Sequence, residues 1–370
     1  MSAKVELVLL LVAVAAACAV PGVFLLLRRV SLISDAISHV LLFGIVAAYL
    51  IVRDVSSPWL FIGAALSGVL TVALVEALNR TRLVKEDAAI GLVFPALFSL
   101  GALLLSLNVS KGIHLDVDQV LLGSPEFGVF DRWSVGGFSL PKGVIVLTGL
   151  FILNAGLIAA FYKELKLSTF DAGLATTLGF APVLLHYGLM TMVSVTAVAA
   201  FDAVGPVVVV ALFVVPPASA YLLTDRLSRL LLYSVVIGCV GATLGVLVAL
   251  VLDANVAGTV ATGQGVLFAV AFTFSPRRGL MPLALQRWRQ KRKFHETMLA
   301  IHLLQHEGTP QEADESRLDG LHRHLHWLPA EVSAVVRRAE QNGLVTNREE
   351  RLFLTEPGRV SANEALGHHA

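Results

Sequence analysis

Long apolar runs separated by short polar stretches occupy the first three quarters of the chain. Each run approaches the roughly 20 residues that a helix needs to cross a bilayer core. The pattern predicts an all-α polytopic membrane protein with eight or nine transmembrane helices. The runs lie at about 5–27, 31–52, 58–78, 88–107, 142–162, 180–200, 203–223, 231–252 and 257–274.

The number of helices depends on the stretch 180–223. Only the segment 201–206 interrupts it, and that segment holds Asp202, Gly205 and Pro206. The stretch is therefore either two spanning helices or one span followed by a broken, re-entrant helix.

The apolar pattern ends near residue 276, and a basic segment follows. Seven Lys and Arg residues and no acidic residue lie between 275 and 293. We therefore divide the chain into a transmembrane domain over 1–276 and a basic juxtamembrane linker over 277–293. Such a linker would be held by the anionic headgroups of membrane lipids.

The last segment, 294–370, has the pattern of a small folded domain. Apolar residues recur at helical spacing in its first part, and two short β-prone pieces follow at 344–346 and 352–355. Helices followed by a hairpin is the order of a winged-helix fold. We predict a small α+β winged-helix domain over 294–370.

Composition agrees with the membrane prediction and excludes a soluble globular enzyme. Hydrophobic residues make up 56% of the chain and charged residues 15%, with a mean hydropathy of +0.77. Soluble domains hold about a quarter charged residues. The two cysteines, Cys18 and Cys239, both lie in apolar runs, so the sequence offers neither a disulfide framework nor a thiolate metal cluster.

Lys and Arg residues are concentrated in alternate connections between the apolar runs. The connections that hold them lie near 28–29, 80–85, 163–166, 226–229 and 277–278. Cytoplasmic loops of membrane proteins carry an excess of Lys and Arg. We therefore expect the N-terminus to lie outside and the C-terminal domain to lie in the cytosol.

Two ionisable residues, Asp35 and His39, lie inside the second apolar run. Residues four apart share one helical face, so a carboxylate and an imidazole would lie side by side. Ionisable groups in a spanning helix are costly and are usually functional. We therefore predict a functional site at this pair.

Other ionisable residues could bind a cation, but each also has a purely structural interpretation. Asp202 in the interrupted segment is a further candidate ligand, or a turn or cap aspartate. His114, Asp116 and Asp118 lie in the long external loop, where ordinary solvated charge is the favoured interpretation. His186 is better explained as a hydrogen-bonded residue between helices.

The tail is rich in histidine, since eight of the eleven histidines follow residue 277. A regulatory metal site at His322, His324 and His326 is one hypothesis. Alternate residues on a helix do not share a face, and exposed surface histidines are the simpler interpretation.

The segment 162–179 mixes charged residues with leucines and is too polar to span a membrane. A short helix lying along the membrane face fits this pattern and could dock on a partner. A plain interfacial connector fits periodicity alone equally well.

Several stretches together resemble the membrane subunit of the bacterial ABC importers of manganese, zinc and iron. The resemblance covers residues from about 5 to 276 in the family's order, which makes it more specific than any one motif. The stretches are 27–39, 86–94, 114–123, 163–171 and 213–220.

The resemblance implies a subunit of the bacterial inner membrane that imports a divalent cation and has no permanently bound cofactor. An extracytoplasmic metal-binding protein would deliver the ion, and a separate cytosolic ATPase would drive its import. The permease would pair with a second copy or a paralogue. The sequence has no phosphate-binding Gly-rich loop of its own, which agrees with a separate ATPase.

The resemblance also implies roles for particular residues. Asp35 and His39 match the family's intramembrane pair and would contact the metal in transit. The segment 164–179 would be the coupling helix that contacts the ATPase. Its candidate contact residues are Glu164, Leu167, Phe170, Asp171 and Leu174.

The tail resembles the N-terminal domain of metalloregulators of the diphtheria toxin repressor type. The matching stretches are 328–333, 339–345 and 352–362. In such a fold the helix ending near Asn342 would be the recognition helix. The tail is not strongly basic, however, and a membrane tether restricts access to DNA, so we favour protein contact or metal sensing over DNA binding.

Two other functions remain open from the sequence. A secondary metal transporter would also place Asp and His in a span, but it would need no surface for an ATPase. A membrane-tethered metal-responsive regulator would use the spans as an anchor, for which nine spans are more than is needed.

Overall fold

The computed structural model describes residues 3–54, 57–108, 125–128, 130–135, 138–276 and 278–367. The chain forms two compact units, Met1–Gly279 and Leu280–Ala370, which we call the membrane unit and the C-terminal unit. Each unit has a hydrophobic core of its own. The external-loop candidates His114, Asp116 and Asp118 lie outside the described residues.

Among the described residues of the membrane unit, nine helices are long and apolar enough to cross a membrane. They are α1 Ala3–Leu27, α2 Leu32–Val52, α3 Trp59–Arg80, α4 Glu86–Asn108, α6 Lys142–Ala160, α9 Pro182–Val204, α10 Pro206–Leu223, α11 Leu227–Leu252 and α12 Val256–Phe274. The shorter elements are α5 Pro125–Gly128, β1 Arg132–Val135, β2 Phe138–Pro141, α7 Tyr162–Phe170 and α8 Ala172–Thr177.

The stretch 180–223, for which the sequence allowed two interpretations, forms two helices of spanning length, α9 and α10. Gly205 separates them at a φ of +83°, a backbone conformation that glycine adopts without strain. Pro206 is the first residue of α10, where its missing amide hydrogen costs nothing. One glycine and one proline are thus enough to end one helix and begin the next.

Helix α1 lies at the centre of the membrane unit. Most of its side chains are buried, and it packs against α6, α9, α10 and α11. A helix that is apolar all round has no solvent face to present, which explains this central position. The other helices of the unit surround it or pack on α2.

Helices α2 and α3 approach each other closely at small residues. A Cβ atom on Gly44 would overlap with the carbonyl oxygen of Gly63 and with the side chain of Ser67. Small residues let helix backbones come together where burial of apolar surface gives no driving force in lipid. Helix α4 packs on both α2 and α3, so α2 is held on two sides.

A buried carboxylate joins α1 to the β1–β2 hairpin. Glu6 is only 3% exposed and receives two hydrogen bonds from Arg132, at 3.0 and 3.1 Å. Arg132 also donates to the carbonyl oxygen of Ser139 on β2. The planar guanidinium therefore satisfies a charge that would be costly if left unpaired.

The C-terminal unit contains α13 Leu280–His306, α14 Glu312–Glu315, α15 Leu321–His324, α16 Pro329–Gln341, β3 Val345–Arg348, β4 Arg351–Leu354 and α17 Glu356–Leu366. Strands β3 and β4 form an antiparallel hairpin. The core is formed by Leu299, Leu303, Leu321, Val332, Val335, Val336, Ala339, Val345 and Leu352.

The basic segment has a helical backbone over most of its length. From Leu280 onward it is helical and forms the first half of α13, which runs without interruption to His306. Apart from Pro282 in its first turn, α13 contains no glycine or proline, and Arg and Lys are good helix formers. A cationic composition thus predicts lipid affinity without predicting an irregular backbone.

Candidate functional site

Asp35 and His39 lie on one face of α2, one turn apart. The Oδ1 atom of Asp35 and the Nε2 atom of His39 are 3.6 Å from each other. Their side chains are 46% and 33% exposed, respectively, whereas Ser34 and Ser38, which directly precede them in the chain, are buried. The pair therefore faces away from the core of the membrane unit.

The separation of these two donor atoms suits a shared cation. Two atoms bonded at about 2.1 Å to one tetrahedral ion lie about 3.4 Å apart. An ion between Asp35 and His39 would need only small side-chain adjustments. With two protein ligands it would keep open positions for water or for groups from another chain.

Aromatic side chains of α4 hold the imidazole of His39 in place. The rings of His39 and Phe94 stack at 5.7 Å, and Phe98 makes an edge contact at 6.1 Å. Such contacts restrict the ring without using its nitrogen atoms. The nitrogen atoms of His39 stay available as ligands.

Asp202 is exposed and lies near the end of α9, two residues before Val204. Among the described residues, no cluster of three or more metal-ligating side chains includes Asp35, His39 or Asp202. The structure thus brings Asp35 and His39 together and leaves Asp202 apart from them.

Arg28 connects three parts of the membrane unit. In the sequence it was only one of the loop charges that predict the orientation in the membrane, and its contacts could not be seen there. It follows α1 and donates to Thr169 at 3.3 Å and to Ser168 at 3.1 Å, both on α7. A third contact, at 3.1 Å, joins it to Nδ1 of His186 on α9. Because a guanidinium can only donate, this nitrogen of His186 is the acceptor, as expected for an interhelical residue.

The segment predicted as one coupling helix forms two short helices. Asp171 separates them and caps α8, since its Oδ1 atom accepts a hydrogen bond from the amide of Leu174 at 2.8 Å. A capping aspartate begins a new helix, which explains the division.

Apolar side chains of this segment are exposed. Phe170 is 63% exposed, and Leu174 is also exposed, whereas Glu164 and Leu167 are half-buried. Leu165, Ser168 and Ala175 face the membrane unit and are buried. The α7–α8 segment therefore packs with one face and leaves an apolar ridge on the other.

In the C-terminal unit the structure gathers a different set of imidazoles from the predicted one. His324 contacts Glu315, His322 lines a groove beside Pro329 of α16, and His326 is exposed. His302, His306 and Glu315 instead bring their donor atoms within 4.8 Å of one another. The signal available in the sequence was the spacing of four between His302 and His306.

Comparison with known proteins places this chain in a family. Residues 4–275 match the ABC 3 transport family. The zinc transport system membrane protein TroD of Treponema pallidum is 44% identical over 98% of both chains. The manganese transport system membrane protein MntD of Bacillus subtilis is 42% identical, over 74% of this chain and 93% of its own.

A solved structure, PsaBC from Streptococcus pneumoniae in complex with Fab, has the same fold. Its TM-score is 0.63, with 24% identity over 77% of this chain and 96% of that chain. The nine apolar helices of the described residues agree with a multi-pass inner-membrane protein. The chain therefore belongs to the ABC 3 transport family, whose members are membrane permease subunits of ABC transporters and not enzymes.

Proposed function

We propose that this ABC metal-importer permease passes a divalent transition-metal ion across the membrane by way of Asp35 and His39. The observation that carries the proposal is the pair of donor atoms 3.6 Å apart on a membrane helix, open to the outside of its own fold. A site with two protein ligands holds an ion weakly enough to release it, as transport requires. Asp202 does not belong to this proposed site.

The pair would lie in the cytoplasmic half of the membrane. Asp35 and His39 lie about 5 and 10 Å along α2 from its first residue, at 1.5 Å per residue. With the orientation predicted from the loop charges, α2 begins at the cytoplasmic side. The ion would reach this pair late in its passage.

A second permease subunit would cover the exposed pair. Facing lipid, a carboxylate and an imidazole on α2 would be costly. Another subunit, either a copy of this chain or a paralogue, would exclude lipid and add ligands to the open positions of the ion.

Permeases of this family work with an ATPase and a substrate-binding protein. The α7–α8 segment is our candidate for the ATPase contact, because Phe170 and Leu174 present apolar side chains on its exposed face. Exposed apolar surface of this kind suits a protein partner. Asp171 would set the direction of that ridge by capping α8, and Glu164 and Leu167 would lie at its border.

The C-terminal unit would be a cytosolic winged-helix domain that contacts proteins or senses metal. The order of its helices, followed by the β3–β4 hairpin, supports this proposal. Residues 316–318 also bond to the edge of β4, through Leu352 to Ser316 and Leu318 to Glu350. DNA binding is disfavoured because residues 294–370 carry seven Lys and Arg residues against twelve Asp and Glu residues.

The transported ion would be manganese, zinc or iron. Asp and His donors suit these ions and disfavour Cu⁺, which prefers sulfur. The names of the relatives point to zinc and to manganese, and both relatives cover most of the membrane unit.

Reconstitution in liposomes tests the proposal. The permease, its ATPase and its binding protein should together accumulate Mn²⁺, Zn²⁺ or Fe²⁺ only while ATP is hydrolysed. Elemental analysis of the vesicles, with the three ions in competition, identifies the cargo. Accumulation by the permease alone at the same rate would instead support a secondary transporter.

A further inference from the structure

A compact set of metal-ligating side chains lies in the C-terminal unit, apart from the pair on α2. His302 and His306 lie one turn apart at the end of α13, with ring centroids 4.9 Å from each other. The Nε2 atom of His302 is 3.3 Å from Oε2 of Glu315. Donor atoms of all three residues lie within 4.8 Å of one another.

The local fold brings these residues together. Spacing of four places His302 and His306 on one face of α13. The chain then reverses through Gly308, at a φ of +73°, and the short helix α14 ends at Glu315. The next residue, Ser316, is buried, and its carbonyl oxygen accepts a hydrogen bond from the amide of Leu352 on β4.

The carboxylate of Glu315 contacts imidazoles from two other helices. Its Oε2 atom is buried and has no hydrogen bond of good geometry among the described residues. Two imidazole nitrogens nevertheless lie close to it, since Nδ1 of His324 is 2.9 Å away and Nε2 of His302 is 3.3 Å away. Leaving a buried carboxylate oxygen without a partner costs free energy, and a cation would remove that cost.

We propose that His302, His306 and Glu315 bind one divalent transition-metal ion. Two imidazoles and one carboxylate form a common donor set for such ions and leave a position for water or for a fourth ligand. The donor atoms need to close from within 4.8 Å to about 3.4 Å, which rotation of these half-buried side chains allows. No backbone movement is required.

His324 would be the positioning residue of this site. Its Nδ1 atom lies against the same oxygen of Glu315 that faces His302. Its ring is 6.1 Å from the ring of His302, farther than that of His306. Partners that orient a ligand typically change metal affinity about tenfold or more when they are removed.

The site would bind the ion after its import and so respond to its concentration in the cytosol. This consequence rests on the proposed function, because import would raise the concentration of the same class of ion on the side where we place the C-terminal unit. Binding at His302, His306 and Glu315 would then stabilise the unit by an amount that grows with the logarithm of the ion's free concentration once the site is mostly filled. The binding itself does not depend on transport.

Metal titration of the full-length protein tests the site. The purified chain in detergent would carry Asp35→Ala and His39→Ala, so that the proposed transport ligands are absent. Titration with Co²⁺ followed by visible absorption, and with Zn²⁺ followed by elemental analysis after gel filtration, should give about one ion per chain. The absorption of Co²⁺ reports its coordination directly.

Single-residue variants distinguish binding at one defined site from diffuse binding by the histidines of the tail. His302→Ala and His306→Ala should each abolish the Co²⁺ spectrum, and Glu315→Gln should weaken Zn²⁺ binding by more than about tenfold while keeping the size of the side chain. His322→Ala and His326→Ala are the matched controls and should bind as the parent does. Circular dichroism checks the fold of each variant.

Unchanged Co²⁺ binding in the His302→Ala, His306→Ala double variant would overturn the proposal. Equal loss in the His322→Ala and His326→Ala controls would overturn it too, because it would indicate diffuse binding by tail histidines. Since the background already lacks Asp35 and His39, failure of the transport proposal would leave these results unchanged.

Discussion

Asp35 and His39 present two donor atoms 3.6 Å apart on one face of α2. The aromatic contacts of His39 with Phe94 and Phe98 hold its ring without occupying the nitrogen atoms. Facing lipid, the carboxylate and the imidazole would lower the stability of the fold, but together they have the geometry of a ligand pair.

We expect Asp35→Ala and His39→Ala to abolish metal uptake in reconstituted vesicles. Each change removes one of two protein ligands and leaves the ATPase contact surface intact. Co-purification of the ATPase should therefore be unchanged. Ser38→Ala, a change one residue away on the buried face, is the control and should transport normally; wild-type uptake in both α2 variants would remove the pair from the mechanism.

A second residue-scale prediction concerns the buried charge of Glu6. Arg132→Ala should lower the free energy of unfolding by about 1–3 kcal/mol, because it leaves a buried carboxylate without its donors. Thermal unfolding in detergent measures the effect. Lys142→Ala removes the more exposed pair with Asp131 and should cost no more than about 1 kcal/mol.

A cycle that adds Glu6→Gln completes this test. If the pair is the cause, the double variant should be more stable than Arg132→Ala alone, since the unpaired charge is gone. Additive losses would instead assign the effect of Arg132 to its contact with Ser139.

Single residues show how far sequence reasoning reached. Asp35 and His39 could be identified because a charge within an apolar run is conspicuous and helical spacing is regular. Arg28 could not, because its partner Ser168 is 140 residues away, with five helices between them. Glu315 could not, because a reversal of the chain brings it to His302, and helical spacing does not predict that reversal. Charge alone distinguishes neither residue from ordinary surface groups.

At the scale of elements, the α7–α8 segment has two different faces. Its buried face packs on the membrane unit, and its exposed apolar ridge is available to a partner. Between the two helices, Asp171 fixes the turn by capping α8. The exposed ridge and the internal contacts can therefore be altered separately.

We expect Phe170→Ala to weaken association of the ATPase and lower metal-dependent ATP hydrolysis, because it removes the most exposed aromatic side chain of the ridge. Asp171→Ala should destabilise α8 by about 1 kcal/mol and give a milder form of the same defect. Pull-down of the ATPase and uptake measure both. Leu83→Ala is the control, because Leu83 is an exposed leucine outside the α7–α8 segment. Normal association in Phe170→Ala would contradict the assignment.

A further prediction concerns Arg28, which contacts the buried face of α7. Arg28→Gln should leave the ATPase bound but uncouple hydrolysis from uptake, because it removes the contacts that join α7 to the residues preceding α2. The neighbouring Arg29→Gln is an ideal comparison, since it removes the same charge from an exposed position. Equal loss of uptake in both variants would assign the effect to loop charge.

Elements also differed in how well the sequence predicted them. The long apolar runs became helices because burial and length both favour that structure. The coupling segment divided in two because a single capping side chain, Asp171, outweighed its periodicity. The basic segment is helical because Arg and Lys are good helix formers. Its charge pattern indicates where the segment can lie and says little about its backbone.

At the scale of the whole molecule, the chain holds two cores that share no residue. We expect deletion of 280–370 to leave a membrane unit that inserts, binds the ATPase and transports metal at its basal rate. Uptake by the shortened chain should no longer respond to metal already present in the vesicles. Thermal unfolding and uptake into metal-loaded vesicles check this, and an unfolded or fully inactive product would contradict it.

Helix α13 has a mechanical consequence within the C-terminal unit. Its cationic turn at Arg287 and its imidazole turn at His302 belong to one unbroken helix, about 22 Å apart at 1.5 Å per residue. No glycine or proline interrupts the helix between these two turns. We therefore expect a tilt of one turn to reorient the other as part of the same rigid segment.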